Sequence, residues 1–251
     1  MYRKKLKNAP LREVIFEIFW KLPVNNQGFL SDPGFEFAQG IFSSKISKEF
    51  PLHKRLFPES APLDIYYKPI HQFWKGELIW PVVQLGKGIL TVNDTELNYQ
   101  WEDNYRNLIL DTIGVLKASY IRHPLEIHKI KLQYIDAVQY SLTNTTFSDF
   151  ISHNLNTELS NNFVIPGTQE GTKIIQSFKQ DDGSILNISI QSAKEGQGAI
   201  EVPSIVWTYS MERNVRNSDF NVQKWLDSSH DICSDLFRKM LNPSFYASFD
   251  N

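Results

Sequence analysis

Residues 78–93 read LIWPVVQLGKGILTVN, in which two apolar, β-branched runs flank Gly86-Lys87-Gly88. Such runs are typical of strands, and a short glycine-containing segment between two of them indicates a β-hairpin. The preceding residues 65–74 are also rich in isoleucine and aromatic side chains, and Lys75-Gly76 follows them. We therefore predict a meander of three antiparallel strands over Ile65–Trp74, Leu78–Gly86 and Ile89–Asn93.

The segments on either side of this meander complete one structural unit. In Leu11–Trp20, apolar residues alternate with polar ones that include Glu13 and Glu17, which predicts a strand with one polar side. Phe35–Phe50 and Trp101–Tyr120 carry apolar residues at steps of three and four, which predicts two helices. The first half of the chain therefore has the predicted order β-α-β-β-β-α.

The second half repeats this order. The predicted elements are a strand around Ile130–Tyr134, a helix over Phe147–Leu155, strands over Lys173–Gln180, Ile185–Ser192 and Ser204–Arg213, and a helix from Val222 that Pro243 ends. Asp181-Asp182-Gly183 joins two of these strands and favours a tight hairpin, because Asp-Gly tolerates positive φ angles.

The predicted fold class is α+β, built from two tandem β-α-β-β-β-α units. The first unit covers residues 11–125, the second covers residues 126–251, and residues 1–10 form a basic N-terminal arm. Two such units can pair edge to edge into one curved antiparallel sheet with the long helices on one face, as in TATA-binding-protein-like folds. The duplicated strand-helix-strand-strand module of small-molecule-binding transcription regulators is a related architecture. Either would offer a concave sheet face or a cleft to a ligand, but a fold alone carries no function.

The composition excludes several classes of protein. With 26 basic and 28 acidic residues among 251, and 13% aromatic residues, the chain is too apolar and too evenly charged for a disordered protein. The single Cys233 excludes an internal disulfide and a cysteine-based zinc site, and its place on the apolar stripe of the last helix predicts a buried thiol. No long uncharged apolar stretch occurs, so we predict no membrane span, no signal peptide and a cytoplasmic location.

Motifs of known catalytic sites are mostly absent. The sequence has no phosphate-binding loop, no nucleophile elbow and no His-Glu-x-x-His, and we predict no metal and no cofactor. Asp64 with Lys68, and Asp136 with Lys131, are the nearest approach to a metal-dependent nuclease. That chemistry needs two carboxylates that converge on Mg²⁺, and neither pair supplies the second. A nuclease or hydrolase that uses Asp64, Asp136 and nearby histidines is therefore an alternative only.

Seven residues within predicted strands or at their ends are candidates for binding. They are the amides Gln84 and Asn93, the pair Tyr134 and Asp136, and the tryptophans Trp74, Trp80 and Trp207. Burying an amide without a partner costs about 1–3 kcal/mol, so Gln84 and Asn93 either pair across the hairpin or face a ligand. The tryptophans either stack on bases or a planar ligand, or belong to the core.

The N-terminal arm is a separate candidate. Arg3, Lys4, Lys5 and Lys7 could contact phosphate groups, or could form an ordinary solvated tail. The net charge of −2 gives no overall attraction to nucleic acid, so a nucleic-acid partner would depend on a local patch such as this one.

Three blocks of the sequence resemble a known family. The blocks are Asn8-Ala9-Pro10-Leu11-Arg12-Glu13-Val14, Val83-Gln84-Leu85-Gly86 through Val92-Asn93, and Leu132-Gln133-Tyr134-Ile135-Asp136. In this order they resemble a sporadically distributed group of bacterial proteins of about this length, and the resemblance covers essentially the whole chain. The family has no established activity to transfer. Its patchy distribution implies a mobile-element or phage-defence setting.

The sequence favours a non-catalytic binding or accessory module that recognises a protein or nucleic-acid partner. The nuclease or hydrolase is one alternative, and an inhibitor subunit for a neighbouring gene product is another. A homodimer could form if exposed strand edges pair between two copies.

Overall fold

The computed structural model describes residues 6–58, 65–95, 99–121, 123–140, 146–158, 166, 171–195, 202–215 and 220–250. Within these residues the chain forms nine strands, five α-helices and one π-helical turn. In chain order the elements are β1 (Leu11–Trp20), α1 (Phe35–Ile46), β2 (Leu52–Arg55), β3 (His71–Gly76), β4 (Ile79–Gly86), β5 (Ile89–Asp94), the π-helical turn (Trp101–Tyr105), α2 (Arg106–Ser119), β6 (Ile127–Gln139), α3 (Phe147–Asn154), β7 (Lys173–Lys179), β8 (Ile185–Glu195), β9 (Val202–Asn214), α4 (Val222–Met240) and α5 (Pro243–Ser248).

The strands form one antiparallel sheet in the order β2-β3-β4-β5-β1-β6-β9-β8-β7. β1 and β6 are neighbours in this sheet, and a backbone hydrogen bond lies just beyond each end of the pair. Lys21 N donates to Glu126 O at one end, and Ala137 N donates to Pro10 O at the other. Outward from these central strands the order is β5-β4-β3 on one side and β9-β8-β7 on the other. The α+β class is confirmed, and β2 is an additional edge strand on the first side.

The chain divides into two compact units by its internal contacts. The N-terminal unit comprises Glu13–Leu132 and Glu212–Leu226, and the C-terminal unit comprises Met1–Arg12, Gln133–Met211 and Asp227–Asn251. This division crosses β1, β6, β9 and α4, whereas the boundary predicted at residue 125 falls between elements. The predicted division into residues 11–125 and 126–251 stays a prediction.

The core of the N-terminal unit follows from the alternation in β1. Its apolar side is almost fully buried, with exposed fractions of 0% for Phe16 and 2% for Trp20. Phe16 lies opposite Val92, which lies opposite Val83, and Val83 lies opposite Phe73. The Phe73 ring contacts Phe42 of α1 at 5.5 Å between ring centroids. This row of the sheet therefore faces the helices.

The C-terminal unit has its own core. Trp207 and Cys233 have 0% exposure, so the prediction of a buried thiol is confirmed, and burial raises the pKa of Cys233 far above its ordinary value. The predicted hairpin at Asp181-Asp182-Gly183 joins β7 to β8, and Gly183 has a φ of +85° there. A side chain is strained at that angle, which glycine tolerates.

The structure departs from the predicted elements in three places. The strand expected from Ile65 begins at His71, because Tyr67 has a positive φ of 56° and Pro69 cannot donate a backbone hydrogen bond. The short strand β2 was not predicted. Pro243 ends α4 as expected, but it also begins α5, whose N-cap Asn242 accepts a hydrogen bond from Phe245 N at 2.9 Å.

Within the described residues, no helix combines the length and the apolar character that a membrane crossing would need.

Candidate functional site

The structure separates the seven candidate binding residues into two groups, each inside one unit. Trp74, Trp80, Gln84 and Asn93 lie in the N-terminal unit, and Tyr134, Asp136 and Trp207 lie in the C-terminal unit. Of the basic candidates, Arg3, Lys4 and Lys5 lie outside the described residues, as does Asp64, while Lys7 is exposed.

The first group belongs to a band of polar side chains that runs across the strands. The strand register sets Lys54 opposite Gln72, Gln72 opposite Gln84, Gln84 opposite Thr91, and Thr91 opposite Glu17. Lys131 Nζ on β6 lies 3.4 Å from Glu17 Oε2. We call these six side chains the polar row. Side chains alternate along a strand, so the polar row lies on the sheet face opposite the helix-facing row.

Hydrogen bonds connect the amides of the polar row. Gln72 Nε2 donates to Gln84 Oε1 at 2.8 Å, and Gln84 Nε2 donates to Thr91 Oγ1 at 3.1 Å. Trp74 Nε1 donates to Gln72 Oε1 at 3.2 Å. Each glutamine oxygen therefore accepts and each nitrogen donates, which fixes the orientation of both amides. Gln72 and Gln84 both remain partly exposed.

Asn93 joins this chain of hydrogen bonds from the next pair of residues on the same face. Its side chain is 7% exposed, its Oδ1 accepts from Thr91 Oγ1 at 2.8 Å and from Gln84 Nε2 at 3.3 Å, and its Nδ2 donates to Glu13 Oε1 at 2.7 Å. Gln84 and Asn93 are thus paired with each other across the hairpin. A contact between these amides and a ligand stays a prediction.

The charges on this face are balanced. Three lysines there, Lys54, Lys129 and Lys131, lie 3.9, 2.8 and 3.4 Å from a carboxylate oxygen of Glu77, Glu212 and Glu17 respectively. The side chains of Lys131 and Glu17 are 24% and 22% exposed. The face therefore presents donors and acceptors of both kinds without an excess of positive charge.

Trp74 and Trp80 lie next to each other at one end of this face. Their ring centroids are 5.3 Å apart with an interplanar angle of 72°. Trp74 is only 7% exposed, so most of its ring already packs against protein, while Trp80 is partly exposed. Of the two, Trp80 has more ring surface to offer a partner.

The second group forms a buried cluster in the C-terminal unit. Tyr134 stacks on Tyr209 with 5.4 Å between ring centroids and an interplanar angle of 20°. The Tyr134 hydroxyl lies 2.8 Å from His230 Nδ1 of α4. At the two ends of the paired strands β6 and β9, Tyr140 N donates to Pro203 O and Val215 N donates to His128 O. Both hydrogen bonds fit the same antiparallel register. That register places Asp136 opposite Trp207.

Asp136 is 2% exposed, and burial raises its pKa from 3.8 to about 7. Tyr209 and Trp207 interact with the carboxyl and partly oppose this rise, and no cation among the described residues contributes. Asp136 Oδ2 and Trp207 Nε1 each lack a full hydrogen bond within the described residues. The carboxyl therefore carries a proton for much of the range below neutral pH, and it can take up or release that proton inside the core.

A pair of histidines was missed at the level of sequence. His53 Nε2 and His71 Nδ1 lie 2.9 Å apart, and the His53 ring stacks on Phe73 with 4.9 Å between centroids. Burial, followed by the charges of His53 and Arg55, lowers the pKa of His71 to about 4, so both rings are neutral at pH 7. Within the described residues, however, no group of three or more histidine, cysteine or acidic side chains could hold a metal ion.

Several residues of both groups could not be identified as partners from sequence. Gln72, Thr91 and His230 become relevant only through the register and through the position of α4. The alternation in β1 did mark Glu13 and Glu17 as members of a polar side.

A comparison with family models, with curated proteins and with solved structures found no match in any of the three.

Proposed function

We propose that this protein is a non-catalytic binding module that recognises a partner protein through the polar row of its N-terminal unit. The observation that carries this proposal is the chain of hydrogen bonds from Trp74 to Glu13 across β3, β4, β5 and β1. It holds amide groups in fixed orientations on the sheet face opposite the helix-facing row, and Gln72 and Gln84 are partly exposed there. Oriented amides complement the backbone and polar side chains of another polypeptide, as in ordinary protein interfaces.

The balance of charge favours a protein over a nucleic acid. Binding to DNA or RNA draws its affinity from lysines and arginines that displace counterions from phosphates. Lys54, Lys129 and Lys131 already have carboxylate neighbours. The basic arm formed by Arg3, Lys4, Lys5 and Lys7 is the remaining candidate for phosphate contacts.

The surroundings of Asp136 support a role other than catalysis. A metal-dependent nuclease needs carboxylates that reach both a metal ion and a phosphate substrate. Asp136 is 2% exposed, and its pKa is shifted by burial without a neighbouring cation. An inhibitor subunit for a neighbouring gene product is a special case of the proposed binding module.

We also propose that the two halves arose by duplication and that the sheet has the saddle form of TATA-binding-protein-like folds. The matching strand order on either side of β1 and β6 supports the duplication. Membership of the sporadically distributed bacterial family and a phage-defence setting belong to the same proposal, and they rest on the sequence blocks alone. The proposed cytoplasmic location rests on the composition and the apolar pattern of the sequence.

Site-specific photo-crosslinking tests the proposed function. Lys54 lies on the polar row and its side chain is 40% exposed, so we expect p-benzoylphenylalanine to be accommodated at this position. Phe37 of α1 is 56% exposed and provides a matched control position. In cells that express the full chain, we expect one protein to crosslink from position 54 and not from position 37. The crosslink should weaken in a Lys131→Glu variant.

Two results would contradict the proposal. One is salt-dependent binding of single-stranded or duplex DNA at micromolar protein that Lys131→Glu weakens, because it would assign the face to nucleic acid. The other is a set of crosslinks that is the same from positions 54 and 37.

A further inference from the structure

Strand β7 forms an edge of the sheet and is unusually exposed. It is the last strand in the sheet order, and of its seven residues only Ile174 is partly buried. Two large apolar side chains on it reach solvent, with exposed fractions of 63% for Ile175 and 44% for Phe178. The strand at the other edge, β2, has only four residues. Long, apolar edge strands readily pair with another chain.

The hydrogen bonds to β8 determine which backbone groups of β7 point outward. Gln180 N donates to Ser184 O at 2.8 Å, and Ser192 N donates to Thr172 O at 3.0 Å. Residues two apart in an antiparallel strand bond to the same side. Even-numbered residues of β7 therefore bond to β8, while Lys173, Ile175, Ser177 and Lys179 direct their N–H and C=O groups away from the sheet.

The charges of β7 indicate what kind of chain would pair with it. Lys173 and Lys179 lie at its two ends, both are exposed, and neither has an ion-pair partner within the described residues. Antiparallel pairing of two copies about Gln176 would set Lys173 of one copy against Lys179 of the other. Like charges directly opposite each other destabilise a strand pair. The edge is complementary to a strand with acidic ends.

We propose that β7 is a second binding site, which takes an extended segment of a partner protein as an added strand. The segment has an acidic residue near each end to pair with Lys173 and Lys179. The segment has an apolar residue on each face of the sheet, because Ile175 and Phe178 lie on opposite faces. Backbone hydrogen bonds supply the affinity of such strand addition, and side chains supply the specificity. This site is independent of the polar row.

Two peptides serve as probes for this site. The first is fluorescein-labelled Glu-Val-Thr-Thr-Val-Thr-Glu with blocked termini, whose two valines would lie opposite Phe178 and Ile175, and the second replaces both glutamates with lysine. Fluorescence anisotropy against the full chain at low and physiological salt should give a Kd at least roughly tenfold lower for the acidic peptide, with the difference reduced by salt. A Lys173→Glu, Lys179→Glu double variant should reverse the preference.

Two substitutions at Ile175 separate the backbone from the side chain. Ile175→Pro removes an outward N–H and leaves the bonds to β8 intact, so we expect a loss of roughly tenfold or more in affinity. Ile175→Thr keeps the N–H and is the matched control, with a change several times smaller. Circular dichroism of each variant checks that it is folded.

The expected results support strand addition with acidic specificity. Equal binding of both peptides by the wild-type chain, or wild-type affinity in Ile175→Pro, would overturn the proposal. So would a dimer in sedimentation that Ile175→Pro dissociates, because a second copy would then be the occupant of this edge. The same set of crosslinks from positions 54 and 37 would contradict only the proposed function and would leave this site unaffected.

Discussion

The two groups of polar side chains, around Asn93 and around Asp136, differ in how completely their buried atoms are hydrogen-bonded. In the group around Asn93, the side chains of Thr91 and Asn93 in β5 are nearly buried, and each has hydrogen-bond partners within 3.3 Å. Around Asp136, the carboxyl is more deeply buried, and in the part of the chain that the structure describes both its Oδ2 and the neighbouring Trp207 Nε1 lack a full hydrogen bond. Both groups lie on inner strands of the same sheet.

The difference follows from the chemistry of the side chains. An amide donates and accepts, so a series of amides at cross-strand positions can satisfy one another whatever the pH. A carboxylate only accepts, and in a buried site without a cation it keeps a proton instead. The amide–amide hydrogen bonds of the first group should therefore contribute stability that does not depend on pH, while Asp136 of the second group should make stability depend on it.

The largest expected effect is the pH dependence that Asp136 imposes. Its pKa is raised from 3.8 to about 7, so between these values the unfolded chain releases a proton that the folded chain retains. Stability therefore falls as pH rises through this interval and levels off above it, by about 4 kcal/mol at most. Asp136→Asn should abolish this fall, with stability close to wild type at about pH 4 and higher than wild type at about pH 8. Urea unfolding at a series of pH values measures it.

Asp94 of β5 provides the matched control for Asp136. It is 1% exposed, but it accepts a hydrogen bond from Thr95 N at 2.9 Å and lies near Lys75, and its pKa is raised only to about 6. Asp94→Asn should remove a smaller fall that ends at lower pH. A flat difference between wild type and Asp136→Asn across the whole pH range would contradict the assignment to Asp136.

The second prediction concerns the hydrogen-bond network around Asn93. Asn93→Ala removes the amide that donates to Glu13 Oε1 and accepts from Gln84 Nε2, and the nearly buried Thr91 hydroxyl loses its hydrogen-bond acceptor. We expect a loss of about 2–3 kcal/mol in the free energy of unfolding at neutral pH. Urea unfolding at about pH 7 measures the size of the loss. A loss below about 0.5 kcal/mol would show that the network contributes little.

The smallest effect is the coupling between Gln72 and Gln84. Both side chains are partly exposed, and a hydrogen bond of 2.8 Å joins them. A double-mutant cycle with Gln72→Ala and Gln84→Ala should give a coupling of about 0.5–1.5 kcal/mol, since the amides also hydrogen-bond to water when separated. Thermal unfolding of the four proteins provides the measurement. Strict additivity would mean that the two amides do not act as one network.

The elements that depend on local pattern were predictable. β1 has the predicted bounds Leu11–Trp20, and α4 runs from the predicted Val222 to Met240, because alternation and helical spacing are recorded directly in the sequence. The four-residue β2 is too short to show a period, and α5 depends on a cap at Asn242. Asp136 lies on the same side of β6 as Ile130, Leu132 and Tyr134, so the alternation along the strand indicated its burial, although its charge favoured an exposed position.

The sequence by itself determined most of the strands and helices, the two hairpins and the polar side of β1, because side-chain periodicity and turn chemistry act over a few neighbouring residues. Only the tertiary structure decided which strands adjoin outside the predicted hairpins and in which register, and therefore that Gln72, Gln84, Thr91 and Glu17 form one row while Asp136 lies opposite Trp207. It also decided that β7 is an edge. These properties arise from contacts between residues far apart in the chain, where strand register and burial set both the partners and the pKa of a side chain.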